Sequence, residues 1–172
     1  MNKLFILLPL VALSLAGCTK VDPTEVTPAE FTARGAAANA RKESKRTVSV
    51  KGTFKTLVTP LSTAPGGLVV NGTGQVSHFG NSTFVDYPVV NFATLSGTGM
   101  FTLTAANGDQ VTGTTIVALE VLTPTTFQVI IHVTITGGTG RFAGATGDIY
   151  GRDVLDQNNP AGTLTIVGEI TY

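Results

Sequence analysis

Side chains able to do chemistry are few in this 172-residue chain. It has two histidines, His78 and His132, a single cysteine, Cys18, and no tryptophan. The carboxylates beyond residue 46 are Asp86, Asp109, Glu120, Asp148, Asp153, Asp156 and Glu169. A histidine held against a carboxylate could act as a general base, and His78 with Asp86 or Asp153 is the pairing to consider. The plainer role for His78 is a hydrogen-bonded side chain at the rim of the fold. Asp153, with Tyr150, Arg152 and Asp156 close in sequence, forms the best polar cluster. No His-x-His or similar ligand spacing occurs, so no metal site is expected. No Gly-x-Ser-x-Gly elbow supports acyl transfer. The glycine-rich run at 137–147 lacks the Lys-Ser or Lys-Thr of a phosphate loop and leads into strand rather than helix. No cofactor is therefore expected. The formal net charge is zero, which leaves no electrostatic footprint for nucleic acid.

Cys18 has a different setting. Lys3 precedes an apolar run from Leu4 to Leu15. That run is shorter than the ~20 residues a membrane-spanning helix needs, and it suits a signal-peptide core. Leu15-Ala16-Gly17-Cys18 resembles the bacterial lipobox, in which the thiol is diacylglyceryl-modified and the chain is cut just before the cysteine. Residues 1–17 then form a lipoprotein signal peptide, and Cys18 is the lipidation site. Membrane attachment through this lipid, in a bacterial cell envelope, is the expected location (outer membrane or cell surface in a Gram-negative cell). With Cys18 so used, disulfides, cysteine metal ligands and cysteine nucleophiles are excluded.

Residues 18–46 read as a tether. They hold Pro23, Pro28, an alanine-rich patch and a basic cluster of Arg41, Lys42, Lys45 and Arg46. The cluster could touch anionic headgroups or simply remain solvated. From residue 47 to 172 the pattern is strand, as 20 glycines and abundant threonine suggest. Alternation in Thr47–Val58 turns Val48, Val50, Phe54 and Val58 to one face and Ser49, Lys51, Thr53 and Lys55 to the other. Further strands are expected over 68–79, 83–92 (interrupted by Pro88), 98–105, 110–122, 126–136, 148–155 and 162–172. Asn107-Gly108 marks a two-residue hairpin. By the same parity His78 and Asp153 face inward, whereas His132, Glu120 and Glu169 face outward. Eight strands with short connections predict an all-β antiparallel meander closed into a barrel, with a two-sheet sandwich as the alternative. Glycines inside the strands favour the coiled barrel.

The segment Gly137-Gly138-Thr139-Gly140-Arg141-Phe142-Ala143-Gly144-Ala145-Thr146-Gly147 resembles the GGTGxFxxAxG signature of dirigent proteins and the related allene oxide cyclases. Gly74–Gly80 and Thr104–Asp109 resemble segments of bacterial secreted proteins that share this motif. The resemblance implies an eight-stranded barrel with an apolar cavity. Those families place acidic residues inside it, but no matching motif here carries a catalytic residue over. Gly137, Gly138 and Gly140 could supply positive φ in a turn, and Phe142 could plug one end. Gly144 and Gly147 complete the motif. His78, Phe142 and Asp153 are the candidate ligand-lining residues.

Three functions fit this sequence. The leading one is a lipid-anchored, noncatalytic envelope barrel that binds a small apolar ligand or a partner protein. The alternatives are an enzyme of cyclase or isomerase type using the cavity, or a purely structural envelope lipoprotein. Cys18→Ser is expected to release the protein from membranes. Mass spectrometry of the mature chain checks the anchor, and an unmodified Cys18 would contradict it.

Overall fold

A computed structural model describes residues 45–172, so Cys18 and the tether as far as residue 44 lie outside the described residues. Nine strands follow in order: β1 (Thr47–Pro60), β2 (Leu68–Val76), β3 (Gly80–Asp86), β4 (Val89–Asn91), β5 (Ser96–Thr104), β6 (Gln110–Val121), β7 (Thr126–Gly138), β8 (Thr146–Asp156) and β9 (Ala161–Thr171). Each pairs antiparallel with its neighbours, and β9 returns to β1 from Thr47↔Thr171 to Leu57↔Ala161. Both β3 and β4 lie against β5, at Asp86↔Phe101 and Val89↔Thr98. They are two halves of one strand, so the closed ring counts eight. The protein is an eight-stranded antiparallel barrel, not a sandwich.

The expected third strand, 83–92, breaks because Pro88 has no N–H to give the ladder. Its carbonyl instead accepts from Leu68 N at 2.9 Å, and Gly67 bridges Val89. Strand β2 also stops earlier than its pattern suggests, at Val76, and residues 77–79 turn before β3 resumes at Gly80 with φ 74°. The Asn107-Gly108 hairpin is longer than two residues. Gly108 N–H bonds to Ala105 O, Ala105 N–H bonds to Asp109 O, and only Gly108 of the central pair has positive φ. That is a type I turn closed by a glycine bulge.

Alternation sorts the side chains. Val48, Val50, Phe54, Val133, Ile135, Leu164, Ile166 and Ile170 are buried, while Ser49, Lys51 and Lys55 are exposed. The two ends of the barrel differ. At the end where the chain enters, Arg46 and Tyr172 exchange both backbone hydrogen bonds, at 2.7 and 3.0 Å. Phe142 closes this end. Its ring stacks on Phe79 at 4.5 Å between centroids and meets Tyr172 edge-on at 4.8 Å.

The glycine motif builds this closure differently from the expectation. Gly137 and Gly138 end β7 and neither has positive φ, though a Cβ on Gly138 would collide with the Gln110 and Phe142 carbonyls. The positive-φ positions are Gly140 and Gly144, around a single 3₁₀ turn at Gly140–Phe142, and Gly147 at the start of β8. A Cβ on Gly140 would fall on the Asp109 carboxylate, which there accepts from Arg141 N at 3.2 Å. The turn thus folds back over the β5–β6 hairpin and drops Phe142 into the barrel end.

Phe142 is fully buried, so Phe142→Ala is expected to cost ~3–5 kcal/mol by the usual cavity penalty. Urea denaturation measures it. A loss below about half a kilocalorie, the range of surface changes, would show the plug to be dispensable.

Candidate functional site

The opposite end of the barrel is not plugged. An apolar cavity of about 60 Å³ extends inward from it, between Leu68, Leu119, Val129, Leu155 and Pro160 near the rim and Phe54, Phe84 and Ile149 deeper down. Phe92, Val154 and Pro160 line the cavity and are exposed, so it opens to solvent. Its volume exceeds the roughly 10–15 Å³ that holds one water. It falls well below the ~300–1,000 Å³ typical of drug-sized ligands. The barrel is hollow, but only as a slot.

Two carboxyl groups interrupt this apolar lining. Asp86 ends β3 and points inward with Ser82 and Phe84, all three buried. Thr115, itself fully buried on β6, donates from Oγ1 to Asp86 Oδ1 at 3.1 Å. Space for the carboxyl comes from Gly99 of β5, where a Cβ would lie 2.9 Å from the same oxygen. Burial pushes the Asp86 pKa up to about 6, and hydrogen bonds from Thr115 and the Tyr87 backbone offset this only in part. Asp86 can therefore exchange a proton near neutral pH inside an apolar slot.

Asp153 lines the cavity from β8, on the side where the wall opens. The β8–β9 ladder ends at Arg152↔Thr165. Beyond it, Asp153 Oδ1 takes the place of a ladder carbonyl, accepting from Thr163 N at 2.9 Å and from Val154 N at 2.7 Å. Oδ2 accepts from the buried Thr56 Oγ1 at 2.8 Å. A Cβ on Gly162 would come within 2.7 Å of Asp153 Oδ1, so this glycine too makes room for a carboxylate. Asp153 is held as a seam between strands, while Asp86 is the carboxyl poised to change state.

The other candidates lie elsewhere. His78 is not inward. It sits in the turn after Val76 with φ 66°, exposed, at the plugged end, where its carbonyl accepts from Arg141 Nη2 at 2.8 Å. The early end of β2 resets the alternation, so a His78 base beside Asp86 or Asp153 does not form. Phe142 closes the far end and does not line the cavity. His132 occupies the outer wall, 2.8 Å from Asp148 and stacked on Tyr150 at 4.6 Å between ring centroids. Among the described residues, no three His, Cys, Asp or Glu side chains group as metal ligands would.

Sequence reading names Asp86 only as a possible partner of His78; its inward burial and its partners Thr115 and Gly99 escape it. The signal is present in the alternation Ser82, Phe84, Asp86. A strand drawn from Thr83 through Pro88 to Phe92 hides it.

Searches against family models and curated sequences find no match to this chain. Among solved structures, a pterocarpan synthase dirigent protein is similar, with a TM-score of 0.50 and 12% identity over 74% of this chain and 89% of that one. The protein has a dirigent-like eight-stranded barrel. At that identity the likeness extends to the fold alone.

The raised pKa gives a stability prediction with a definite sign. The folded state disfavours the charged carboxyl, so its cost is fully present above about pH 6 and disappears as pH falls through the ordinary carboxylate range. Asp86→Asn should then stabilise the barrel at pH 8 by on the order of 1–3 kcal/mol, with the gain gone by about pH 4. Urea midpoints at the two pH values check this. An equal effect at both would remove the buried charge from the account.

Proposed function

We infer that this chain is a lipid-anchored envelope barrel that binds a slender, uncharged apolar molecule through its open end. The slot with the Asp86 carboxyl set into its wall is the observation that carries the reading. At about 60 Å³ the slot is too small for a fused-ring system of drug size, yet it suits a short linear chain. Its lining contains two carboxyls and no lysine or arginine, so an anionic head drawn inside would meet repulsion without compensation. A hydroxyl or carbonyl fits better, because protonated Asp86 can donate to it and ionised Asp86 can accept from a hydroxyl. The Leu15-Ala16-Gly17-Cys18 motif supports the anchor, and two or three acyl chains at ~0.8 kcal/mol per CH₂ would hold the protein on a membrane stably.

One observation favours a second reading. A buried carboxyl with its pKa near 6 is the kind of group that performs general acid–base work. A cyclase or isomerase acting on the same slender substrate would use Asp86 for proton transfer, with Asp153 fixing the wall beside it.

A series of linear primary alcohols tests the binding reading by calorimetry. Each added methylene should tighten binding about threefold to fourfold, as expected for ~0.8 kcal/mol per buried CH₂, until the slot is filled. Val129→Phe, placed in the lining, should abolish the trend. Flat affinity along the series would contradict a binding slot and favour a purely structural barrel.

A further inference from the structure

The four connections at the open end are residues 61–67, 92–95, 122–125 and 157–160. They read Leu-Ser-Thr-Ala-Pro-Gly-Gly, Phe-Ala-Thr-Leu, Leu-Thr-Pro-Thr and Gln-Asn-Asn-Pro, without one charged residue; the nearest charges are Glu120 and Asp156, whose carboxylate accepts from Asn158 N at 2.9 Å inside the last turn. The plugged end is the reverse. Its connections and chain entrance carry Lys45, Arg46, His78, Asp109 and Arg141. Several exposed hydrophobics, Met100 and Ile116 among them, stand on the outer strand faces, but those in the connections follow the same division. Phe92, Val121 and Leu122 are 46%, 57% and 54% exposed at or beside the open-end loops. None of the large exposed hydrophobics lies in a connection at the plugged end, where Phe79 and Phe142 are buried. The loops bearing Phe92 and Leu122 adjoin, because Leu95 O accepts from Leu119 N at 2.8 Å between them.

We propose that the open rim docks on the interface of a lipid bilayer, with Phe92, Val121 and Leu122 entering the headgroup–acyl boundary. Inserting a rim costs most where charges must be stripped of water, and these loops have none. A protein partner would also cover an apolar patch. The bilayer is favoured because the opening of an apolar slot lies within the same rim, so a lipid-soluble ligand could pass from membrane to barrel without crossing water. Chain length allows it. The chain enters the barrel at the plugged end, and a strand of 14 residues, tilted as in small barrels, gives a height of about 35 Å. Residues 19–46 can span at most ~90–100 Å, so an anchor at Cys18 leaves the far rim free to reach the same membrane. The proposal extends the ligand-binding reading but is tested apart from it, so either can fail alone.

The absence of native tryptophan makes the test clean. Leu122→Trp and Phe92→Trp place a fluorophore on the rim, and Asn107→Trp places one on the hairpin at the plugged end. The full chain carrying each is mixed with zwitterionic phosphatidylcholine vesicles whose acyl chains are brominated, after strand content is confirmed by circular dichroism. Both rim reporters should shift to the blue and lose most of their emission, equally at low and high salt, while Asn107→Trp is unchanged. Quenching of Asn107→Trp instead, or of no reporter, would overturn the proposal. The first result would mean that the basic end faces the lipid, and the second that the rim meets water or a protein.

Discussion

Closure of the sheet is the constraint on which everything else rests. Eleven consecutive register pairs join β1 to β9, the first and last strands of the described chain, and leave no free edge between them. Once the sheet is closed, every second residue of each strand must enter one shared interior, and whatever enters must be apolar or hydrogen-bonded. The interior obeys this rule throughout. Among the described residues no buried side-chain nitrogen or oxygen lacks a hydrogen-bond partner. Asp86, Thr115 and Thr56 are admitted only with partners, and Gly99 and Gly162 yield the space their carboxyl neighbours occupy.

The two ends solve the problem of an open cylinder in opposite ways. At the chain-entrance end, the turn after β7 lays Phe142 between Phe79 and Tyr172, and Arg141 ties the turn to the His78 carbonyl. The interior there is solid. At the other end the rings of Phe54, Phe84 and Phe101 form a floor, with Phe54 and Phe84 edge-on at 4.9 Å and Phe84 and Phe101 at 5.7 Å. Above that floor a second buried cluster of Val90, Val117, Leu119 and Phe127 fills part of the interior, and the slot runs beside it. Asp86 belongs to this level, one inward position beyond Phe84. Its raised pKa follows from that position: a carboxyl placed lower would displace core, and one nearer the rim would be hydrated.

Much of the fold was legible because alternation is a strong signal where one face is wet. β1, β7 and β9 show it over long runs, and their inward sets are those the parity assigns. The site was harder to read because it lies where alternation is interrupted. Pro88 splits the strand carrying Asp86, and the turn at 77–79 resets the strand carrying His78. Asp153 keeps the parity of its strand and reaches the cavity, but its role in the β8–β9 seam depends on where the ladder stops. In the glycine motif, residue type marked a tight closure without revealing which glycines needed left-handed backbone. Gly140, Gly144 and Gly147 have it, while Gly137 continues the strand and Gly138 does so where the Gln110 and Phe142 carbonyls leave no room for a Cβ.

A protonatable carboxyl thus faces a ligand-accessible slot inside an otherwise apolar barrel. Carbon-13 NMR titration of the Asp86 side-chain carboxyl, with and without saturating hexanol, reads both properties in one experiment. The expected midpoint is near 6 in the free protein, displaced upward when the alcohol excludes water from the slot. A midpoint in the ordinary carboxylate range, unchanged by hexanol, would contradict both the buried charge and the site built around it.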